Sequence, residues 1–198
     1  LATRIFANTT RILSGAMSLA DRLTVARAVS APLVVFLFAV HFDGHNYWGT
    51  AVFCVAMATD WFDGRIARRS GRTSPFGSLL DPVADKVLVL GTLVVLLDQH
   101  VFPAWMVAAI VGRELLISGL RLAALERGVV IAARDLAKLK TWSQAVAAGV
   151  GGLAAAGVWS HSVSWWFLLL AVALTWLSGL DYARSAPRVL RGRAVPAP

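Results

Sequence analysis

Four aspartates, Asp60, Asp63, Asp81 and Asp85, fall within one of the most apolar parts of a 198-residue chain. They stand in the order Asp60-Trp61-Phe62-Asp63-Gly64-Arg65-Ile66-Ala67-Arg68, then Gly77-Ser78-Leu79-Leu80-Asp81-Pro82-Val83-Ala84-Asp85. A carboxylate at the centre of a membrane helix costs about 2.5–3.5 kcal/mol. Four of them together require a counter-charge. Spacings of three and four residues put Asp60 and Asp63 on one helical face, and Gly77, Asp81 and Asp85 on another. Two such faces turned toward each other would surround one cavity with hard oxygen donors. That donor set suits two divalent cations, Mg²⁺ or Mn²⁺, with shared ligands. Without metal, mutual repulsion would protonate at least one carboxylate.

The residues between the acids are small where a ligand would need room. Gly64, Ala67 and Gly77 leave space for a flat base or a pyrophosphate beside the backbone. Close helix packing in membranes uses the same residue types, and for Ala67 neither reading prevails. Arg68, five residues past Asp63, could grip a phosphate with two parallel hydrogen bonds. Arg65, Arg69 and Arg72 read as ordinary basic residues at the inner end of a helix.

The elements that carry these residues read as membrane helices. The chain is 58% hydrophobic, with mean hydropathy +0.67, against about 45–50% apolar residues in soluble domains. Apolar stretches recur at 25–42, 48–59, 87–97, 101–111, 142–158 and 163–180. Extended through the adjacent charges, each reaches the ~20 residues a spanning helix needs. This predicts an all-α integral membrane protein with six transmembrane helices. Helix 1 begins around residues 18–21, helix 2 covers about 47–69, and helix 3 covers 76–98 with a kink at Pro82. Pro103 opens helix 4, residues 126–135 link it to helix 5, and helix 6 ends near 181–184. Residues 1–17 form either a juxtamembrane helix or a segment foreign to the native chain. The catalytic membrane domain spans 18–185, and a basic, disordered tail occupies 186–198.

Charge placement orients the bundle. None of the 19 Lys and Arg residues falls in the loops at 43–47, 98–103 or 159–164. By the positive-inside rule both termini face the cytoplasm, which locates the chain in the cytoplasmic membrane. His41, His45, His100 and His161 all lie near the outer loops, leaving no histidine for chemistry on the inner side. Trp48, Trp105, Trp159, Trp165 and Trp166 mark the same outer boundary, as an aromatic belt does. The net charge of +8 is interleaved with membrane helices, which favours lipid headgroups and phosphorylated substrates over nucleic acid. The lone Cys54 cannot form an intrachain disulfide and reads as a small core residue.

Asp60-x2-Asp63-Gly64-x2-Ala67-Arg68-x8-Gly77-x3-Asp81-x3-Asp85 resembles the complete signature of the CDP-alcohol phosphatidyltransferases. The resemblance implies a six-helix membrane fold, usually dimeric, with a two-metal site open to the cytoplasm. It also implies cleavage of a CDP-linked lipid or alcohol with release of CMP. Three further stretches resemble the branch of that family whose acceptor is glycerol 3-phosphate. They are Ser18-Leu19-Ala20-Asp21-Arg22-Leu23-Thr24-Val25-Ala26-Arg27 with Pro32, Asp81-Pro82-Val83-Ala84-Asp85-Lys86, and Gly112-Arg113-Glu114-Leu115-Leu116-Ile117-Ser118-Gly119-Leu120-Arg121. The last is followed by Lys138-Leu139-Lys140-Thr141 and Gln144. The branch departs from this chain at Asp21, Arg134 and Ala137, two of which flank the expected acceptor site.

On this resemblance the donor is CDP-diacylglycerol. Asp60, Asp63 and Asp81 hold the metals, and Asp85 both contacts metal and takes the proton from the acceptor hydroxyl. Arg68, with Gly64, Ala67 and Gly77, positions the nucleotide and its pyrophosphate. Thr24 and Arg27, one turn apart, touch nucleotide or phosphate, or else serve helix packing. The dianionic acceptor needs cations beyond the metal site, and Arg113, Arg121, Lys138, Lys140 and Thr141 are the candidates. By helical phase Arg134, Lys138 and Thr141 share a face, whereas Lys140 points away with Gln144. Lys138 is therefore the better single candidate of the two lysines. For Arg121, an ion pair with Glu114 two turns away competes with phosphate binding. Rival readings are another acceptor, inositol phosphate or phosphatidylglycerol, and a cation transporter. Transport would put acids near the midplane with polar residues continuing outward, whereas here the outer half is apolar.

Overall fold

The computed structural model describes the backbone over residues 19–70, 75–126 and 135–190, and the side chains of 26–59, 84, 86–124 and 138–184. Six helices follow one another: α1 Leu19–Ala39, α2 His45–Ser70, α3 Pro75–Asp98, α4 Ala104–Glu126, α5 Asp135–Ala155 and α6 His161–Leu190. No strand occurs among the described residues. The helix starts agree with the sequence reading to within about two residues. Pro75 opens α3, where its fixed φ suits the first turn and its missing N–H is not needed.

The end of α6 differs from expectation. The sequence predicts a stop near 181–184 and an irregular tail from 186, but the helix continues to Leu190. Ala183, Arg184, Ala186, Arg188 and Leu190 are strong helix formers. They carry the helix through Pro187, whose missing N–H removes a single bond near its end.

The turns opposite the 70–75 junction close on left-handed residues. At the end of α3, His100 has φ 60°. Its N–H bonds the Leu97 carbonyl at 2.9 Å, and the Val101 N–H bonds Leu96 at 3.0 Å. Gly157, with φ 76°, ends α5 in the same way through Ala154 and Leu153. Both are Schellman closures, which satisfy the last carbonyls of a helix.

Packing is organised around α1 and α5. Each lies against both α2 and α3, while α6 packs on α5 and α4, and α4 also meets α3. Val34 and Phe38 of α1, Phe53 of α2, Leu88, Leu93 and Leu96 of α3, Met106 and Ile110 of α4 and Leu168 of α6 form the common core. The α2–α5 contact is close. Asn46 donates to the Ala155 carbonyl at 2.9 Å, and a Cβ on Gly152 would lie 2.3 Å from Thr50 Oγ1. Thr50 is buried and its hydroxyl already donates to the Asn46 carbonyl at 2.7 Å, so it has nowhere to turn. Overpacking of this kind costs about 1–3 kcal/mol. Gly152→Ala is expected to lower the melting temperature in detergent by several degrees. Gly149→Ala, whose Cβ would meet nothing nearer than 3.9 Å, should melt with the parent chain.

Large apolar side chains also cover the outside. Val29, Phe36, Trp48, Val55, Leu115, Leu116, Trp166 and Leu177 are all exposed, far more than a water-facing surface tolerates as continuous patches. By length and composition one helix of the described residues is able to cross a membrane, His161–Arg184, with mean hydropathy 1.8. The helices before it carry charges within their length, such as Arg113 and Glu114 in α4, and these depress the same measure.

Candidate active site

The two aspartate pairs fall on consecutive helices at matching depth. Asp60 and Asp63 lie ten and seven residues before the end of α2 at Ser70. Asp81 and Asp85 lie six and ten residues after the start of α3 at Pro75. At 1.5 Å rise per residue, both pairs sit about 10–15 Å from the junction joining the helices. The backbone is helical through all four positions, so the spacing of three and of four puts each pair on one face. Their side chains, and those of Thr24, Gly64, Ala67, Arg68 and Gly77, lie outside the described residues. The donor set itself is all oxygen. The four histidines belong to the turns and helix starts at the opposite end. Such a set fits hard divalent cations and not Zn²⁺ or Cu²⁺.

One residue past Asp85, Lys86 opens a second polar region, which contains the acceptor candidates Arg113 and Lys140. Its Nζ donates to Ser118 Oγ of α4 at 2.6 Å and lies 3.9 Å from Glu114 Oε2. Glu114 is 4% exposed and its neighbour Arg113 is 3% exposed, in the middle of α4. Glu114 Oε1 accepts from Arg113 Nη1 at 3.0 Å, from Lys140 Nζ of α5 and from Gln144 Nε2 at 3.4 Å. Two α6 hydroxyls complete the network. Gln144 Nε2 donates to Thr175 Oγ1 at 2.7 Å, and Arg113 Nη2 donates to Ser178 Oγ at 3.2 Å. A Cβ on Gly179 would come within 3.0 Å of Arg113 Nε. Glycine there is what lets the guanidinium lie against α6.

Charge decides what this cluster can do. Lys86, Arg113 and Lys140 face a single carboxylate among the described residues, leaving two positive charges in excess. Excess charge inside an apolar bundle is costly unless a ligand supplies the opposite sign. Such a cluster is able to receive an anion.

Of the expected acceptor residues, the structure brings Arg113 and Lys140 together here. Arg121, Lys138 and Thr141 are exposed on α4 and α5. The preference for Lys138 over Lys140 is reversed in burial. Helical phase shows that Lys140 shares a face with Gln144, and that face is the one turned toward α4 and α6. The ion pair raised for Arg121 does not form, since Glu114 is taken by Lys140 and Arg113. Arg27 is buried on α1. From sequence, Glu114 is named only as a partner for Arg121, and no role falls to Lys86, Ser118, Thr175 or Ser178. Thr175 and Ser178, three residues apart in the inner half of the apolar stretch 165–180, are the signal that could have found them.

The CDP-alcohol phosphatidyltransferase family model matches residues 17–177. The chain belongs to that family. A Bacillus subtilis (strain 168) CDP-diacylglycerol–glycerol-3-phosphate 3-phosphatidyltransferase is 35% identical over 181 residues, covering 83% of this chain and 93% of the relative. A probable phosphatidylglycerophosphate synthase of Mycobacterium tuberculosis is 38% identical over 180 residues, covering 88% and 84%. An Escherichia coli (strain K12) CDP-diacylglycerol–glycerol-3-phosphate 3-phosphatidyltransferase is 36% identical over 169 residues, covering 83% and 92%. The matched span contains Asp60, Asp63, Asp81 and Asp85, together with Lys86, Arg113, Glu114 and Lys140. As a CDP-alcohol phosphatidyltransferase the chain is a transferase of a membrane-associated family, and α6 supplies a helix able to span a bilayer.

Proposed function

We propose that this CDP-alcohol phosphatidyltransferase moves the phosphatidyl group of CDP-diacylglycerol to glycerol 3-phosphate, forming phosphatidylglycerophosphate and CMP. The observation that carries the acceptor is the buried Arg113–Glu114–Lys140 cluster. With Lys86, which ties it to the helix bearing Asp81 and Asp85, it carries two excess positive charges among the described residues, a match for a phosphate dianion. Relatives named for the same reaction support it over most of the chain.

Asp60, Asp63, Asp81 and Asp85 would hold two divalent cations, Mg²⁺ or Mn²⁺. When bound, these supply charge neutralisation at the pyrophosphate and at the departing CMP. Arg68, with the small Gly64, Ala67 and Gly77 beside it, fits the nucleotide and its phosphates, with Thr24 and Arg27 on α1 as further contacts. Arg113 and Lys140 take the acceptor phosphate, and Arg121, Lys138 and Thr141 attract it from the inner surface. The acceptor hydroxyl attacks the phosphorus that bears the diacylglycerol. A new P–O bond forms to the acceptor, the P–O bond to CMP breaks, and Asp85 accepts the hydroxyl proton.

The six helices cross the cytoplasmic membrane with both termini inside, the chain acts as a homodimer, and the diacyl tails lie in the bilayer. Exposed apolar side chains along α1 to α6 support the crossings. CMP release by purified protein in detergent tests the reading. With Mg²⁺ and CDP-diacylglycerol, release is expected only when glycerol 3-phosphate is added. Release that instead follows inositol phosphate or phosphatidylglycerol would replace the acceptor and keep the chemistry.

A further inference from the structure

Glu114 is an odd residue to find beside an anion site. It is a buried carboxylate whose Oε1 takes donors from Arg113, Lys140 and Gln144, while Lys86 approaches Oε2. These donors come from α3, α4 and α5, and through Gln144 and Arg113 the network reaches α6. Without Glu114, three cations from three helices would face one another with, among the described residues, only neutral hydroxyls and an amide between them. Long side chains released in this way regain rotamer freedom. A phosphate that must gather them again binds more weakly for having to order them.

We propose that Glu114 is a positioning residue for the acceptor: its carboxylate draws Arg113 of α4 and Lys140 of α5 to one point, where a phosphate dianion can accept from both. The inference rests on the glycerol 3-phosphate reading above and deepens it, since Glu114 acts through the two cations and does not touch the phosphate. It also completes the charge balance. Three cations less one carboxylate leave the charge that a dianion cancels.

The sign of the effect separates positioning from simple electrostatics. Deleting a negative charge beside an anion site should tighten anion binding if charge alone matters. Positioning requires the reverse. Glu114→Gln is therefore expected to raise KM for glycerol 3-phosphate about tenfold or more, the loss of a charged hydrogen-bond partner. KM for CDP-diacylglycerol should stay close to that of the parent chain, while the melting temperature falls as buried cations lose their carboxylate. Glu114→Asp, which keeps the charge on a shorter stem, should recover part of the loss.

Steady-state CMP release by the full chain in detergent, varying each substrate in turn, provides the measurement. An unchanged or lower KM for glycerol 3-phosphate in Glu114→Gln overturns the proposal. So does an equal rise for both substrates, which marks a purely structural carboxylate. If Glu114→Gln does not fold, Lys140→Gln is compared with the Glu114→Gln/Lys140→Gln double variant, which removes the ion pair together. Positioning of Arg113 still predicts a higher KM in the double variant than in Lys140→Gln alone, whereas an unchanged or lower KM refutes it. Parent enzyme that releases CMP without any need for glycerol 3-phosphate removes the acceptor reading, and this inference with it.

Discussion

Asp85→Asn is expected to reduce CMP release about a thousandfold or more, within the 10²–10⁴ range of general-base losses and their associated ligand effects. The substitution preserves size and hydrogen-bonding shape but removes both the basic oxygen and the negative charge. Asp85 is the aspartate that would serve two purposes, holding a cation and accepting the hydroxyl proton. It stands one turn beyond Asp81 on α3 and one residue before Lys86, whose ammonium reaches into the acceptor cluster. Asp60→Asn should also lose activity, but part of its loss should return at high Mg²⁺ or Mn²⁺, because a weakened ligand can be compensated by mass action. Asp85→Asn should not recover in the same titration. Full recovery of Asp85→Asn by added metal would show that the residue is a ligand only and that the proton goes elsewhere. Melting curves for both variants check that the bundle is intact.

The helical placement of the aspartates was legible because its information is local, although their side chains lie outside the described residues. Two spacings on two helices, with a four-residue connection between them, fix both face and depth before any packing is known. Helix starts were legible for the same reason, since Pro75 and Pro103 punctuate the chain directly. The acceptor cluster is different in kind. Helical phase showed that Lys140 travels with Gln144 and Lys138 with Thr141, yet phase does not reveal which face turns inward. That depends on α5 packing against α3 and α6. Glu114 could likewise have paired along its own helix with Arg121. It pairs with Lys140 instead, because a buried carboxylate takes the donor that burial brings to it. The end of α6, expected near 181–184, lies instead at Leu190, because the strong helix formers there outweigh the one bond lost at Pro187.

Arg113 is the residue on which the cation cluster and the α4–α6 contact both depend. Its guanidinium donates to Glu114 Oε1 at 3.0 Å and to Ser178 Oγ at 3.2 Å, with its Nε against the backbone of Gly179. A planar fork reaches both partners at once, and an ammonium cannot. Arg113→Lys, which keeps the charge, is expected to raise KM for glycerol 3-phosphate about tenfold, with a small change in melting temperature. Arg113→Met keeps the apolar stem but removes the charge and both hydrogen bonds. Charged hydrogen bonds of this kind contribute about 1.5–3 kcal/mol each, so a loss of about a hundredfold in kcat/KM for the acceptor is expected. Glu114 retains Lys140 and Gln144 in that variant, so its carboxylate is not stranded and the chain should still fold. The two variants together divide the contribution of charge from that of geometry. If Arg113→Lys matches the parent while Arg113→Met fails, charge alone suffices and the fork to Ser178 is structural. If both match the parent in acceptor KM, the phosphate binds elsewhere, and exposed Arg121 and Lys138 become the cations to remove next.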